Sequence, residues 1–171
     1  MKRIPNSFIV LIFIIISCAT GETDKERHDL TLIIPGKSAE GFTLNEAAST
    51  GDNAIKIKTS VIPEAFVSVF GKREIQIAQF NQIIYLQYRY AIFTNNGIVT
   101  AIAGLSPANR VTYDAVKLTD GSDNFIINYG NSGLEIIKDG KHRIYNYKKL
   151  GIAIFDDNGD DSIDMYIVFQ P

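Results

Sequence analysis

The spacing of hydrophobic and polar positions divides this 171-residue chain into an apolar leader, a polar stretch and a long mixed remainder. Residues 8–16, Phe-Ile-Val-Leu-Ile-Phe-Ile-Ile-Ile, form an unbroken apolar run, about half the ~20 residues that a membrane-spanning helix requires. Residues 19–29 are polar with no apolar period, the pattern of a flexible tether. Leu30 to Ile34 predicts a strand, stopped by Pro35-Gly36. Pro63 at a first helical position, Glu64 beside it and Gly71 as a left-handed stop predict a short helix. Ser122 as N-cap, Asp123 in the first turn and Gly130 as stop predict another. After each helix, β-branched and aromatic residues dominate, in Ile83 to Phe93 and Ile98 to Ala103, then in His142 to Phe155 and Ile163 to Phe169. Asn96-Gly97 and Asn158-Gly159 are signals for type I′ hairpins, in which both central residues need positive φ.

These elements look repeated. Phe66-Val67-Ser68-Val69-Phe70-Gly71 resembles Phe125-Ile126-Ile127-Asn128-Tyr129-Gly130, and Ala91 to Gly97 resembles Ala153 to Gly159 at nearly the same spacing. The expected fold class is α+β: two short helix-plus-antiparallel-meander units in tandem, related by internal duplication. They would span residues 30–110 and 111–171, each burying one apolar face, which a lone hairpin cannot do.

The leader carries more information than its hydropathy. Lys2 and Arg3 precede the apolar run, and Ile15-Ile16-Ser17-Cys18 follows the order of a bacterial lipobox: aliphatic, tolerant, small, cysteine. Residues 1–17 are therefore expected to be a lipoprotein signal peptide and residues 18–29 a lipidated cysteine with its tether. Several acyl chains on Cys18 would hold the chain firmly at a membrane, since each buried CH₂ contributes ~0.8 kcal/mol. Ala19 lacks the aspartate that holds enteric-type lipoproteins at the inner membrane, which points to the outer membrane.

Charge and chemistry narrow the function classes. The net charge is −2, and removal of Lys2 and Arg3 makes it more acidic, which argues against nucleic acid as a partner. Cys18 is the sole cysteine, so a lipidated chain has no thiol left for a disulfide, a thiolate zinc site or a nucleophile. Only His28 and His142 offer imidazole, and His28 lies in the tether. Glu64, Glu74, Asp114 and Asp120 are scattered acids with no pairing visible in sequence. Gly36-Lys37-Ser38 lacks the upstream glycine of a phosphate loop, because Thr31 stands there. The expectation is a protein that is not an enzyme and that needs no cofactor.

Two charged clusters remain as candidate sites. Asp156, Asn158 and Asp160 place oxygens at alternate positions with Asp164 beyond, an echo of a calcium loop. Asp161 stands where the turn glycine would be and Ile167 where the closing acid would be, so an acidic hairpin turn is the competing reading. Lys138, Lys141, His142, Arg143, Lys148 and Lys149 form a basic cluster that suits an acidic protein, glycan or phospholipid headgroup, or simply blunts an edge strand. Tyr85, Tyr88 and Tyr90 are spaced by three and two residues and cannot all share one strand face.

Taken together, Gly36-Lys37-Ser38, Val67 to Gly71, Tyr88 to Phe93 and Gly97 to Ile102 resemble the pattern of small outer-membrane lipoproteins of the BamE (SmpA/OmlA) type. Lys72 stands where that pattern has proline. The Ile-, Lys- and Asn-rich composition is also similar to that of spirochaete-type surface lipoproteins. These resemblances imply a lipid-anchored outer-membrane binding module. It would either face outward, adhesin-like, toward host matrix, plasminogen or complement proteins, or face the periplasm as an accessory of outer-membrane assembly; a calcium-binding module is a third reading.

Overall fold

The computed structural model describes residues 32–50, 54–59, 61, 79–86, 90–104 and 110–171. The leader, Cys18, the helix expected after Pro63, Glu64, Glu74 and Tyr88 lie outside them. In chain order the strands are β1 (Leu32–Ile33), β2 (Ser38–Ala39), β3 (Phe42–Thr43), β4 (Ile55–Lys58), β5 (Gln82–Leu86), β6 (Tyr90–Asn95), β7 (Ile98–Gly104) and β8 (Val111–Thr112). A 3₁₀ turn (Leu118–Asp120) leads into helix α1 (Gly121–Tyr129). The strands β9 (Leu134–Asp139), β10 (His142–Tyr147), β11 (Ile152–Asp156) and β12 (Met165–Phe169) follow.

Eight of these strands make one antiparallel sheet in the order β4-β5-β6-β7-β12-β11-β10-β9. This corrects the expected fold class. The chain is mostly β and is not a tandem of helix-plus-meander units. The meanders β4–β7 and β9–β12 are fused through their last strands, with Tyr166 opposite Gly104 and Phe169 opposite Ala101. The physical reason lies in β7 and β12 themselves. Met165–Phe169 is buried at every position, so it cannot serve as a half-exposed edge and must be covered on both faces. Pairing it with β7 also removes two open edges and leaves only β4 and β9 at the borders. Gly104 allows the join, because a Cβ there would fall within the Tyr166 ring.

Both faces of the central strands are buried. On the first, Ile33, Leu44, Val116, Leu118 and Phe125 cover Ile84, Ile92, Ile154 and Val168. On the second, Phe93, Ala103, Phe155 and Ile167 belong to a separate buried cluster. The ring of Phe125 lies 4.6 Å from that of Tyr129 and 5.7 Å from that of Tyr147, and the Tyr147 hydroxyl donates to the Gly130 carbonyl at 3.0 Å. This aromatic trio fixes α1 to β10. Burial raises the Tyr147 phenol above its ordinary pKa. Burial, joined by the Asp114 carboxylate, pushes Tyr129 up to about 12.

The turns divide. Asn96 and Gly97 have φ of 51° and 82°, which fits the expected type I′ hairpin between β6 and β7. The second expected tight turn is absent. Between β11 and β12 the positive φ values fall on Gly159 and Asp161, and the connection is a longer loop.

Candidate functional site

The long β11–β12 loop gathers the acidic candidates. Asp156 is fully buried; its Oδ1 accepts from the Gly159 N–H at 2.6 Å and its Oδ2 from the Asp161 N–H at 3.2 Å. Asn158 Oδ1 accepts from the Asp160 N–H and Asp160 Oδ1 from the Ser162 N–H, both at 2.9 Å. Asp164 Oδ2 accepts from the Asp157 N–H at 2.8 Å. The loop therefore folds by giving each expected calcium ligand a backbone donor. The Ser162 N–H, by its bond to Asp160, holds that carboxyl below its usual range. Among the described residues, no group of three or more His, Cys, Asp or Glu side chains is placed to hold a metal ion.

Asp161 carries a role that the local sequence does not reveal. Its Oδ1 accepts from the Ser122 hydroxyl and, at 3.0 Å, from the Asp123 N–H, while its carbonyl accepts from the Ser122 N–H at 3.0 Å. The free N–H groups at the start of α1 are thus met from the far end of the chain. Ser122 is not the N-cap: that position falls on Asp120, which makes no side-chain capping bond. Gly121, with φ of 87°, leaves room for the Asp161 carboxylate.

The basic cluster does not hold together. Arg143 opposes Lys138 across β9 and β10, with Lys141 in the adjoining turn, whereas Lys148 and Lys149 lie beyond the other end of β10. Six residues of strand separate the groups by about 20 Å. Each group also meets acid from its own surroundings. Arg143 is 3.8 Å from Asp156, His142 Nδ1 is 2.6 Å from Asp157 Oδ1, and Lys148 is 2.9 Å from Glu135. The acidic loop and the basic hairpin sit side by side, and a Cβ at Gly159 would crowd the Lys141 carbonyl.

Sequence reasoning missed one buried carboxylate altogether. Glu40, in the β2–β3 turn with φ of 54°, takes a bidentate pair of bonds from Arg110, Nε to Oε1 at 2.5 Å and Nη2 to Oε2 at 2.8 Å. The Tyr166 hydroxyl also donates to Glu40, and Arg110 donates to the Tyr90 hydroxyl while lying over its ring. Burial alone would lower Arg110, but bonding and attraction to Glu40 prevail and raise it. Burial first, then the Glu40 charge, pushes Tyr166 far above the usual phenol range. All four side chains are turned toward one another, so this cluster clamps the β2–β3 hairpin to the sheet. Tyr85 in β5 packs against the second face and Tyr90 in β6 against the first, so the two stand on different strands rather than one.

The border strand β4, Ile55-Lys56-Ile57-Lys58, differs from all of these. Every one of its residues is exposed, with Ile55 at 46% and Ile57 at 45%. Lys56 opposes Ile84 and Lys58 opposes Gln82, so both lysines lie on the first face and both isoleucines on the second. No other described strand pairs with its outer side. Lys58 also lines an open groove with Asn81, Gln82, Asn96 and Gly97. Comparison with protein-family models, with curated proteins and with solved structures gave no match for this chain.

Proposed function

We propose that this chain is a non-enzymatic binding module, tethered to a bacterial outer membrane by lipid on Cys18, with the β4 border as its contact surface. The observation that carries this reading is the contrast between spent and available chemistry. The carboxylates of the β11–β12 loop are spent on backbone donors, and Arg143, His142 and Lys148 face acids of their own chain. At β4, two lysines, two half-exposed isoleucines and a strand edge that no other described strand pairs stand together. The lipobox supplies the tether.

Labelling with an alkyne analogue of palmitate tests the anchor. The unaltered chain takes up label and Cys18→Ser does not; equal labelling of the two would sink the lipid assignment. Protease shaving of intact cells then reads the topology. An outward-facing module is removed, and protection from the protease would assign it to the periplasmic side.

A further inference from the structure

We propose that the outer edge of β4 is a strand-addition site that takes one antiparallel segment of a partner protein in which acidic and apolar side chains alternate. The inference rests on the binding-module reading and names the chemistry of the partner. Its basis is the direction of the backbone. The Thr59 N–H donates to the Asn81 carbonyl at 3.1 Å, one step beyond the paired register in which Lys58 faces Gln82. In an antiparallel ladder such pairs alternate, so Ile55 and Ile57 direct their backbone groups toward β5, whereas Lys56 and Lys58 direct theirs outward. The edge therefore offers two N–H and C=O sets at the lysine positions, and backbone bonds of this kind supply affinity in strand addition.

The side chains select the partner. A segment laid along this edge places every second residue beside Lys56 and Lys58 on the first face and the others beside Ile55 and Ile57 on the second. Cross-strand neighbours of opposite charge stabilise and like charges destabilise, so the first set is acidic and the second apolar. A second copy of β4 does not meet this demand, since self-pairing sets lysine beside lysine or lysine beside isoleucine. An anionic lipid surface meets it poorly, because the lysines and the isoleucines point to opposite faces and one plane cannot reach both.

The test uses the full chain in mild detergent and a dye-labelled octapeptide alternating Glu and Val, followed by fluorescence anisotropy. The Glu/Val peptide is expected to bind about tenfold more tightly than a Lys/Val peptide. The double variant Lys56→Glu, Lys58→Glu reverses that preference, and Lys56→Gln, Lys58→Gln reduces it. N-methylation of the peptide at the Glu positions weakens binding more than tenfold, whereas N-methylation at the Val positions leaves it within about twofold, because only the Glu N–H groups face β4. Circular dichroism checks that each variant keeps its sheet. Equal binding of both peptides, a preference that survives charge reversal, or indifference to the position of N-methylation overturns the proposal. So does edge-dependent self-association of the unmodified chain, or binding to phosphatidylglycerol vesicles that Lys56→Gln, Lys58→Gln weakens and the peptide does not displace. Failure here leaves the lipid tether standing, since palmitate labelling reads it separately, and loss of labelling leaves the peptide result intact.

Discussion

The two borders of the sheet are built from similar residues and do opposite things with them. β9, β10 and the turns that flank β10 hold Lys138, Lys141, Arg143 and Lys148, yet Asp156, Asp157 and Glu135 stand beside that border and take up much of the charge. β4 has only two lysines, neither of them in an ion pair with a described acid, and both remain exposed. A dense run of charge in a sequence is thus a poor guide to charge available at a surface. What matters is whether the fold brings an opposite charge alongside, and among the described residues it does so at the β9 border.

This contrast can be broken most directly at Asp156. Replacing it by Ala leaves the Gly159 and Asp161 N–H groups without their acceptor, and is expected to cost about 2–4 kcal/mol in urea unfolding. A loss below about 1 kcal/mol would mean that the loop carboxylates are not structural, and the two borders would no longer differ in kind. The next effect has the opposite sign. Asn146 in β10 is fully buried, and neither atom of its side-chain amide has a hydrogen-bond partner. Asn146→Leu is expected to raise stability by about 1–2 kcal/mol, because an unmet buried amide is removed. Destabilisation instead would show that the amide is satisfied in solution.

Alkaline unfolding sharpens the comparison further. Tyr129 in α1, held near 12 by burial, keeps its proton in the fold after the unfolded chain has lost it near its ordinary value of 10. Its stabilisation is complete below pH 10 and disappears as pH rises toward 12. The urea midpoint should therefore fall between pH 9 and pH 11, and fall less in Tyr129→Phe. Equal falls would remove Tyr129 as the cause. The smallest effects belong to the surface lysines. Lys148→Ala loses a half-exposed pair with Glu135 and should cost about 0.5 kcal/mol or less. Lys56→Gln should change stability by no more than about that amount. A large loss from Lys56→Gln would make β4 a structural border like β9.

Much of the strand content was readable because β-branched and aromatic runs mark it, and Asn96-Gly97 announced its hairpin. α1 ends at Gly130 as expected, but it starts from Asp120 rather than from the expected Ser122 cap. The fusion of the meanders was less visible, although Met165-Tyr166-Ile167-Val168-Phe169, apolar at every position, is the mark of a central strand. Two short helical signals and a repeat led instead toward separate units. The Glu40 clamp could not be found from spacing, since Glu40 and Tyr166 are 126 residues apart and no local pattern links them. The basic cluster misled for the inverse reason: neighbours in sequence were parted by the length of β10.

The position of β12 has a consequence for the order in which this molecule is made. Of the eight described strands of the sheet it is made last and lies at the centre, and it carries Tyr166, which completes the Glu40 clamp. Asp161, which caps α1, arrives only shortly before it. Until those residues emerge, the nascent chain holds two unfinished sheets and an uncapped helix. A premature stop just upstream of Met165 would therefore release a polypeptide with the other seven strands of the sheet and no way to join its two halves.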